Sequence, residues 1–377
     1  MLAGTRPRLL YVVSEDWYFL SHRLPMARAA RDAGFDVHVA THVQHGAEAI
    51  RREGFVLHSI PFERGKLSIG AGWRTIRAIR SIHADIQPVL AHHVSLQPAV
   101  LASMAALGRD VVCVNAVTGF GFAFTSSSLK ARAIRPAIAS LLRWLLGRPS
   151  SVALVQNPDD RAALLGLRVP ADRIVCIAGS GVDLERFTPT PEPAGVITVG
   201  FVGRLLADKG VHTLVEAHHL LKSRGVEIAL QMAGTPDPAN PSSVTEAELA
   251  AWRAAGISVL GHIDDIPAFW ASAHIAVLPS RREGLPKSLL EAAASGRPMI
   301  ASDVPGCREV VGTESGLLVR VDDPVALADA IERLAASQEL RQRLGAAARQ
   351  SAEARFGNER IARETVALYQ RLLSARA

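Results

Sequence analysis

The sequence predicts an α/β protein made of two doubly wound, mostly parallel sheets. Three observations carry that reading. The chain has 377 residues, more than a single hydrophobic core usually holds, so two domains of about 180 residues are expected. Short apolar runs alternate with helical stretches along its whole length, the pattern of strand–helix–strand units. A proline-rich break at residues 188–195 (TPTPEPAG) divides that alternation in two. The expected organisation is an N-terminal domain over 1–187, a linker over 188–195, a C-terminal domain over 196–357, and a last helix over 358–377.

In the first half, residues 8–13 (RLLYVV) form a buried strand. Residues 14–20 (SEDWYFL) form a loop, and a helix runs from about 21 to 33 with Ser21 as its N-cap. The loop carries Asp16, Trp17 and Tyr18 where a dinucleotide fingerprint would need glycines, so no such fingerprint is present. These aromatics either wall a ligand site or pack in the core. Residues 36–41 (DVHVAT) are the second strand. After the basic helix 73–83, a strand centred on Val89 and Leu90 ends at Ala91-His92-His93-Val94. A histidine at a strand's carboxyl end faces a ligand site and could bond a hydroxyl or shuttle a proton. It could equally be structural.

Residues 115–128 (NAVTGFGFAFTSSS) follow another strand, and two glycines alternate with Phe120, Phe122 and Phe124 there. The next segment, 129–147, mixes Lys130, Arg132, Arg135 and Arg143 with Trp144 and several leucines. Such a helix can lie on an anionic membrane, or it can pack within its domain with a solvated basic side. Pro136 complicates a single continuous helix and is a candidate helix start.

The second half opens with the strand 196–202 and the loop 203–210 (GRLLADKG). Here Arg204 and Lys209 flank a helix N-terminus, where cations and free backbone N–H groups suit a diphosphate. The densest stretch is 279–305, PSRREGLPKSLLEAAASGRPMIASDVP. An apolar strand enters it, Glu283-Gly284-Leu285-Pro286 makes a tight loop, and a Leu/Ala-rich helix runs to Gly296 before the next strand. Glu283 and Glu291 have seven residues between them, one on the loop and one within the helix. Two carboxylates so placed could grip two separate hydroxyl-bearing parts of one ligand.

EGLPKSLLEAAASGRPMIAS, with its Glu–seven residues–Glu spacing, resembles the donor-sugar motif of retaining glycosyltransferases of family four. The GR–four residues–KG loop is a second match, and GSGVDLERFTP resembles the end of that family's first domain. The resemblance implies a GT-B fold, with two Rossmann-like domains facing a central cleft and the last helix crossing back to the first domain. It implies that Glu283 holds donor-sugar hydroxyls, Glu291 the ribose, and Arg204 and Lys209 the leaving diphosphate. Gly203, Gly234, Gly284, Leu285, Pro286 and Ile263 complete the donor site, Ile263 against the base. His93, with His92 as the fallback, matches the family's histidine near the reacting sugar. The DWYFLSHRLP and VTGFGF segments resemble enzymes that extend polyprenyl-diphosphate-linked sugars for bacterial surface polysaccharide. The expected activity is therefore retaining transfer of a hexose or N-acetylhexosamine from a nucleoside diphosphate sugar, UDP first, to a lipid-linked saccharide. A nucleotide-sugar 2-epimerase of the same architecture and a non-catalytic nucleotide-sugar-binding protein are the other readings.

Composition sets bounds on partners. The net charge is +6, and residues 1–190 hold 22 Lys and Arg against 14 Asp and Glu, leaving the remainder slightly acidic. A basic first half favours an anionic partner. No helix-turn-helix, zinc-finger or RNA-binding signature supports nucleic acid. A membrane surface met by Phe120, Phe122, Arg132, Arg135, Arg143 and Trp144 is the expectation. The three cysteines, Cys113, Cys176 and Cys307, lack metal or redox spacing and suit a reducing cytosol. The N-terminal run passes straight into a strand, which argues against a signal peptide. No apolar run approaches the roughly 20 residues of a bilayer span. No Asp-x-Asp motif is present, so no metal or other cofactor is expected, and peripheral attachment at the inner face of the plasma membrane follows.

Overall fold

The structure, a computed structural model, describes residues 6–62, 69–117, 129–238 and 240–376, with the backbone alone at 69 and 129–135. The chain divides into two compact units, one of residues 1–180 with 358–377 and one of residues 181–357.

The first unit is a parallel sheet of β1 (Arg8–Glu15), β2 (Asp36–His42), β3 (Val56–Ser59), β4 (Leu90–Val94), β5 (Val112–Ala116), β6 (Ser151–Val155) and β7 (Ile174–Cys176). Among the described residues its strand order is β3-β2-β1-β4-β5-β6-β7, so the winding reverses between β1 and β4. Helices cover both faces, which is why the central strands are apolar without alternation. Leu9, Tyr11 and Val13 join one core with the helices Leu24–Asp32 and Asn358–Ser374. Leu10 and Val12 join another with Ile76, Ile79 and Ala102 on the opposite side. The C-terminal helix thus belongs to the first unit's core through Ile361, Val366, Leu368 and Tyr369.

Three readings of this half are corrected. Residues 16–22 are helical rather than a loop, and Ser21 lies inside that helix with its hydroxyl on the Trp17 carbonyl, so it caps nothing. The helix begins there because Asp16 accepts from the backbone N–H groups of Gln44 and Gly46, both at 2.7 Å. Burial alone would raise the Asp16 carboxyl, but the bonds from Gly46, Gln44 and Trp17 outweigh it and hold the group below its ordinary value. Secondly, Pro136 does not start the helix after β5, which runs unbroken as Leu129–Leu146. Thirdly, β4 extends to Val94, so His92 and His93 lie within the strand and not beyond it.

The second unit is a parallel sheet of β8 (Thr198–Val202), β9 (Ala229–Ala233), β10 (Ser258–Gly261), β11 (Ile275–Leu278), β12 (Met299–Ser302) and β13 (Gly316–Val319). Its order among the described residues is β10-β9-β8-β11-β12-β13, with the reversal between β8 and β11. The segment 181–195, read from sequence as a domain end and a loose linker, is bound into this unit. Val182 pairs with Gly357, His274 Nε2 donates to the Pro193 carbonyl at 2.9 Å, and the Arg341 fork holds the Glu192 carboxylate at 2.9 and 3.0 Å. The boundary therefore falls at 180/181 and not at 187/188. Prolines keep the segment from forming a strand, and arginines instead satisfy its carbonyls. Arg349 donates to the carbonyls of Phe187 (2.6 Å) and Ala294 (2.7 Å). Arg349→Ala orphans both, and the second unit is expected to lose about 2 kcal/mol of stability, read as a lower urea midpoint at unchanged slope.

Candidate active site

In a doubly wound sheet the crevice for ligands opens beyond the carboxyl ends of the strands, where the winding reverses. In the second unit that point lies between β8 and β11. The loops leaving these two strands carry Lys209 and Glu283. Lys209 Nζ donates to Glu283 Oε1 at 2.6 Å, and Ser280 Oγ donates to the same oxygen at 2.7 Å. The Glu283 side chain is only 9% exposed. Oε1 is thus saturated, and among the described residues Oε2 accepts nothing. An ammonium has three N–H donors, so Lys209 keeps two for a ligand. The arrangement presents an oriented carboxylate oxygen and a partly free cation side by side.

Arg204, at the start of the same loop, donates from Nη1 to Asp237 Oδ2 at 2.7 Å and stays partly exposed. Gly203 donates its N–H to the Ala233 carbonyl and Gly234 donates to the Gly261 carbonyl, so the ends of β8, β9 and β10 are stitched at one level. Ile263, two residues past β10, is half-buried. The structure therefore brings Gly203, Arg204, Lys209, Gly234, Ile263, Glu283, Gly284, Leu285 and Pro286 to the carboxyl edge of one sheet. Pro286, at the end of the tight loop, is the N-cap residue of the helix Lys287–Ala294. Glu291, one turn into that helix, is buried, with Lys287 Nζ 3.6 Å away. Burial pushes its carboxyl above the ordinary value, and the Lys287 charge offsets part of that.

Sequence reading missed the residues that clamp these loops together. Arg281 N–H donates to the Asp208 carbonyl and Arg282 Nη2 to Asp208 Oδ2, both at 2.9 Å, tying the loop after β11 to the loop after β8. A Cβ on Gly210 would stand 1.9 Å from the Pro279 carbonyl oxygen, and one on Gly306 would stand 2.4 Å from the Gly284 carbonyl oxygen. Only glycine permits either approach. The sequence signal was the Gly after Lys209 and the Pro-Gly opening of the helix Pro305–Val310.

His93 does not join an exposed site. It is fully buried, its Nδ1 lies 2.8 Å from Asn115 Oδ1, and Asn115 in turn bonds Ser103 and Ser151. Burial pushes its pKa down to about 3, so it is neutral at physiological pH. His92, on the other face of the same strand, is equally buried against Tyr11 and Tyr369. The error has a simple geometry: β4 runs farther than expected, and successive strand residues point to opposite buried faces. At the corresponding reversal of the first sheet stands Ser95, held at φ 80° directly after β4.

Phe120 and Phe122 lie outside the described residues, as do the side chains of Arg132 and Arg135. Arg143 and Trp144 are exposed, with Arg148 stacked on the Trp144 ring at 5.6 Å. Their helix links the carboxyl end of β5 to the start of β6, so both residues sit toward the amino edge of the sheet, away from the edge where an acceptor would be read. Among the described residues no helix is long and apolar enough to cross a membrane.

Two parallel α/β units with a charged crevice at a strand reversal define the GT-B class. Comparison with solved structures agrees: sucrose-phosphate synthase from Thermosynechococcus elongatus superposes with a TM-score of 0.82 at 22% identity, over 98% of this chain and 100% of that one. Residues 8–156 match the family described as Glycosyl transferase 4-like, and residues 196–337 match Glycosyl transferases group 1. The chain belongs to these glycosyl transferase families, whose two domains together take in most of its length. Among relatives, EpsD of Bacillus subtilis, named as a glycosyltransferase, is 26% identical over 389 residues covering 96% of each chain. The N,N'-diacetylbacillosaminyl-diphospho-undecaprenol alpha-1,3-N-acetylgalactosaminyltransferase of Campylobacter jejuni is 25% identical, over 94% of this chain and 98% of its own.

Proposed function

We propose that the protein is a retaining glycosyltransferase that moves a hexose or N-acetylhexosamine from a nucleoside diphosphate sugar, with UDP the first choice, to a polyprenyl-diphosphate-linked saccharide in bacterial surface polysaccharide or glycan assembly. The observation that carries this is the Lys209–Glu283–Ser280 cluster at the β8/β11 reversal, a cation and an oriented carboxylate where a sugar diphosphate needs both. The acceptor class is supported by the Campylobacter relative, whose name gives a diphospho-undecaprenol-linked sugar.

In this reading Glu283 Oε2 accepts from a donor-sugar hydroxyl. Arg204 and Lys209 take up the negative charge that grows on the diphosphate as the anomeric C–O bond breaks, an interaction stronger in the transition state than in the ground state. The acceptor hydroxyl attacks the same face that the phosphate leaves, and its proton passes to the departing phosphate oxygen. The two basic side chains do the work a metal ion would do on the diphosphate, so activity is expected to survive chelators. Membrane contact through Arg132, Arg135, Arg143 and Trp144 belongs to the same proposal, and charge reversal at the three arginines should weaken binding to anionic liposomes. Unchanged binding would remove that part.

Glu291 gives a pH signature. Its ionised form is the acceptor for two ribose hydroxyls, and burial raises its pKa. Donor affinity is therefore expected to rise with pH through that raised value and to fall below it. In Glu291→Gln the step should vanish, as read by KM for donor against pH.

The direct test is release of nucleoside diphosphate from UDP-, GDP- and ADP-sugars, with and without polyprenyl-diphosphate-sugar acceptors, with Glu283→Ala as control. Acceptor-dependent release from one donor, lost in the variant, supports transfer. Acceptor-independent conversion of a UDP-N-acetylhexosamine would make the protein an epimerase instead.

A further inference from the structure

Arg23 stands at the turn between the helices Asp16–His22 and Leu24–Asp32 and is 2% exposed. Its Nε has no hydrogen-bond partner, and among the described residues no carboxylate pairs with its guanidinium. The surroundings are polar. His92 Nδ1 is bonded to Tyr369 Oη, Tyr369 Oη lies 3.0 Å from Tyr11 Oη, and His92 Nε2 has no partner. Tyr11 and His92 are register neighbours on β1 and β4, the two strands that flank the winding reversal of the first sheet. The Arg23 charge is felt by this group: burial holds His92 well below the ordinary imidazole value, and Arg23 pushes it lower still.

Counting protons shows what the cluster lacks. If the chain of bonds runs from Tyr11 through Tyr369 to His92, the Nε2–H is left over. If it runs the other way, the Tyr11 hydroxyl hydrogen is left over. Either direction leaves one spare donor in the cluster, and the second also leaves the Nε2 lone pair, but in neither does an anionic group among the described residues meet the Arg23 charge. A water could take the N–H groups but would leave the buried positive charge uncompensated, which is the costlier defect.

We propose that Arg23, with His92 and the two tyrosine hydroxyls, forms an anion site at the first sheet's winding reversal that takes a phosphate-type group. The planar guanidinium fork suits such a group in two-point contact. The site stands whether or not the transferred sugar goes to a lipid-linked acceptor.

The test is calorimetric titration of the full chain carrying Arg204→Ala and Lys209→Ala, which removes the donor-loop cations. Inorganic phosphate and geranyl diphosphate, a soluble prenyl diphosphate, serve as separate probes. Saturable binding is expected, at least about tenfold weaker when Arg23→Gln is added and largely kept with Arg23→Lys. Tighter binding of geranyl diphosphate assigns the site to a prenyl-linked ligand, and equal binding assigns it to free phosphate. Should Arg23→Gln fail to fold by circular dichroism, His92→Phe decides, with a several-fold loss expected. No saturable binding of either probe, or unchanged binding in the folded variant, overturns the proposal.

Discussion

Lys209→Ala is expected to lower turnover by about 100- to 1,000-fold, the range for removing one pre-placed charge donor from a developing anion. Lys209 acts twice. It fixes Glu283 Oε1 at 2.6 Å and, in the proposed function, keeps further N–H donors for the diphosphate. Its removal leaves the Glu283 carboxylate, 9% exposed, held by Ser280 alone. Because the two side chains touch, their substitutions should not be additive. Lys209→Ala with Glu283→Ala is expected to cost little more than the worse single change. Single-turnover rates at saturating donor, together with thermal melts, separate lost chemistry from lost folding. A Lys209→Ala protein that melts near the parent and turns over within about threefold of it would end the role given to this residue, since known losses at such positions are far larger.

What was legible in the sequence was local. Glu283 and Glu291, or Arg204 and Lys209, sit within one strand–loop–helix unit, so their spacing alone fixes which edge of the sheet they occupy. Strand and helix periods carried the second unit for the same reason: the loop 203–210 was placed before a helix N-terminus, and that helix is Val211–Ser223. What escaped was tertiary. The Asp208–Arg282 clamp pairs residues 74 positions apart, and the glycine approaches depend on backbone contacts that no pattern encodes. In the first unit the aromatic run 17–19 has weak helix propensity, and the helix there exists because Asp16 is seized by backbone N–H groups some 30 residues downstream. Ser21 has the chemistry of an N-cap, but the chain had already turned helical before reaching it. His92 and His93 were placed at an edge because the strand end was set a few residues early. In a fully covered parallel strand that shift moves a side chain from crevice to core.

Gly210→Ala is the second large effect. Gly210 sits at φ 72° between the turn 207–209 and the helix Val211–Ser223, and its missing side chain is where the Pro279 carbonyl passes. An alanine there meets two penalties. The left-handed backbone costs about 1 kcal/mol, and a Cβ 1.9 Å from a carbonyl oxygen is impossible without movement. The loop after β11 must then lift away from the loop after β8, which separates Glu283 from Lys209 and pulls on the Asp208–Arg282 clamp. Stability is expected to fall by about 3 kcal/mol or more, in the range of strained or overpacked sites. Donor affinity should drop more than in a variant destabilised elsewhere in the same unit, such as Arg349→Ala. The comparison is therefore donor affinity at matched urea stability for the two proteins. Equal donor affinity in both would mean that the approach at Gly210 serves packing alone and that the two loops hold the donor independently.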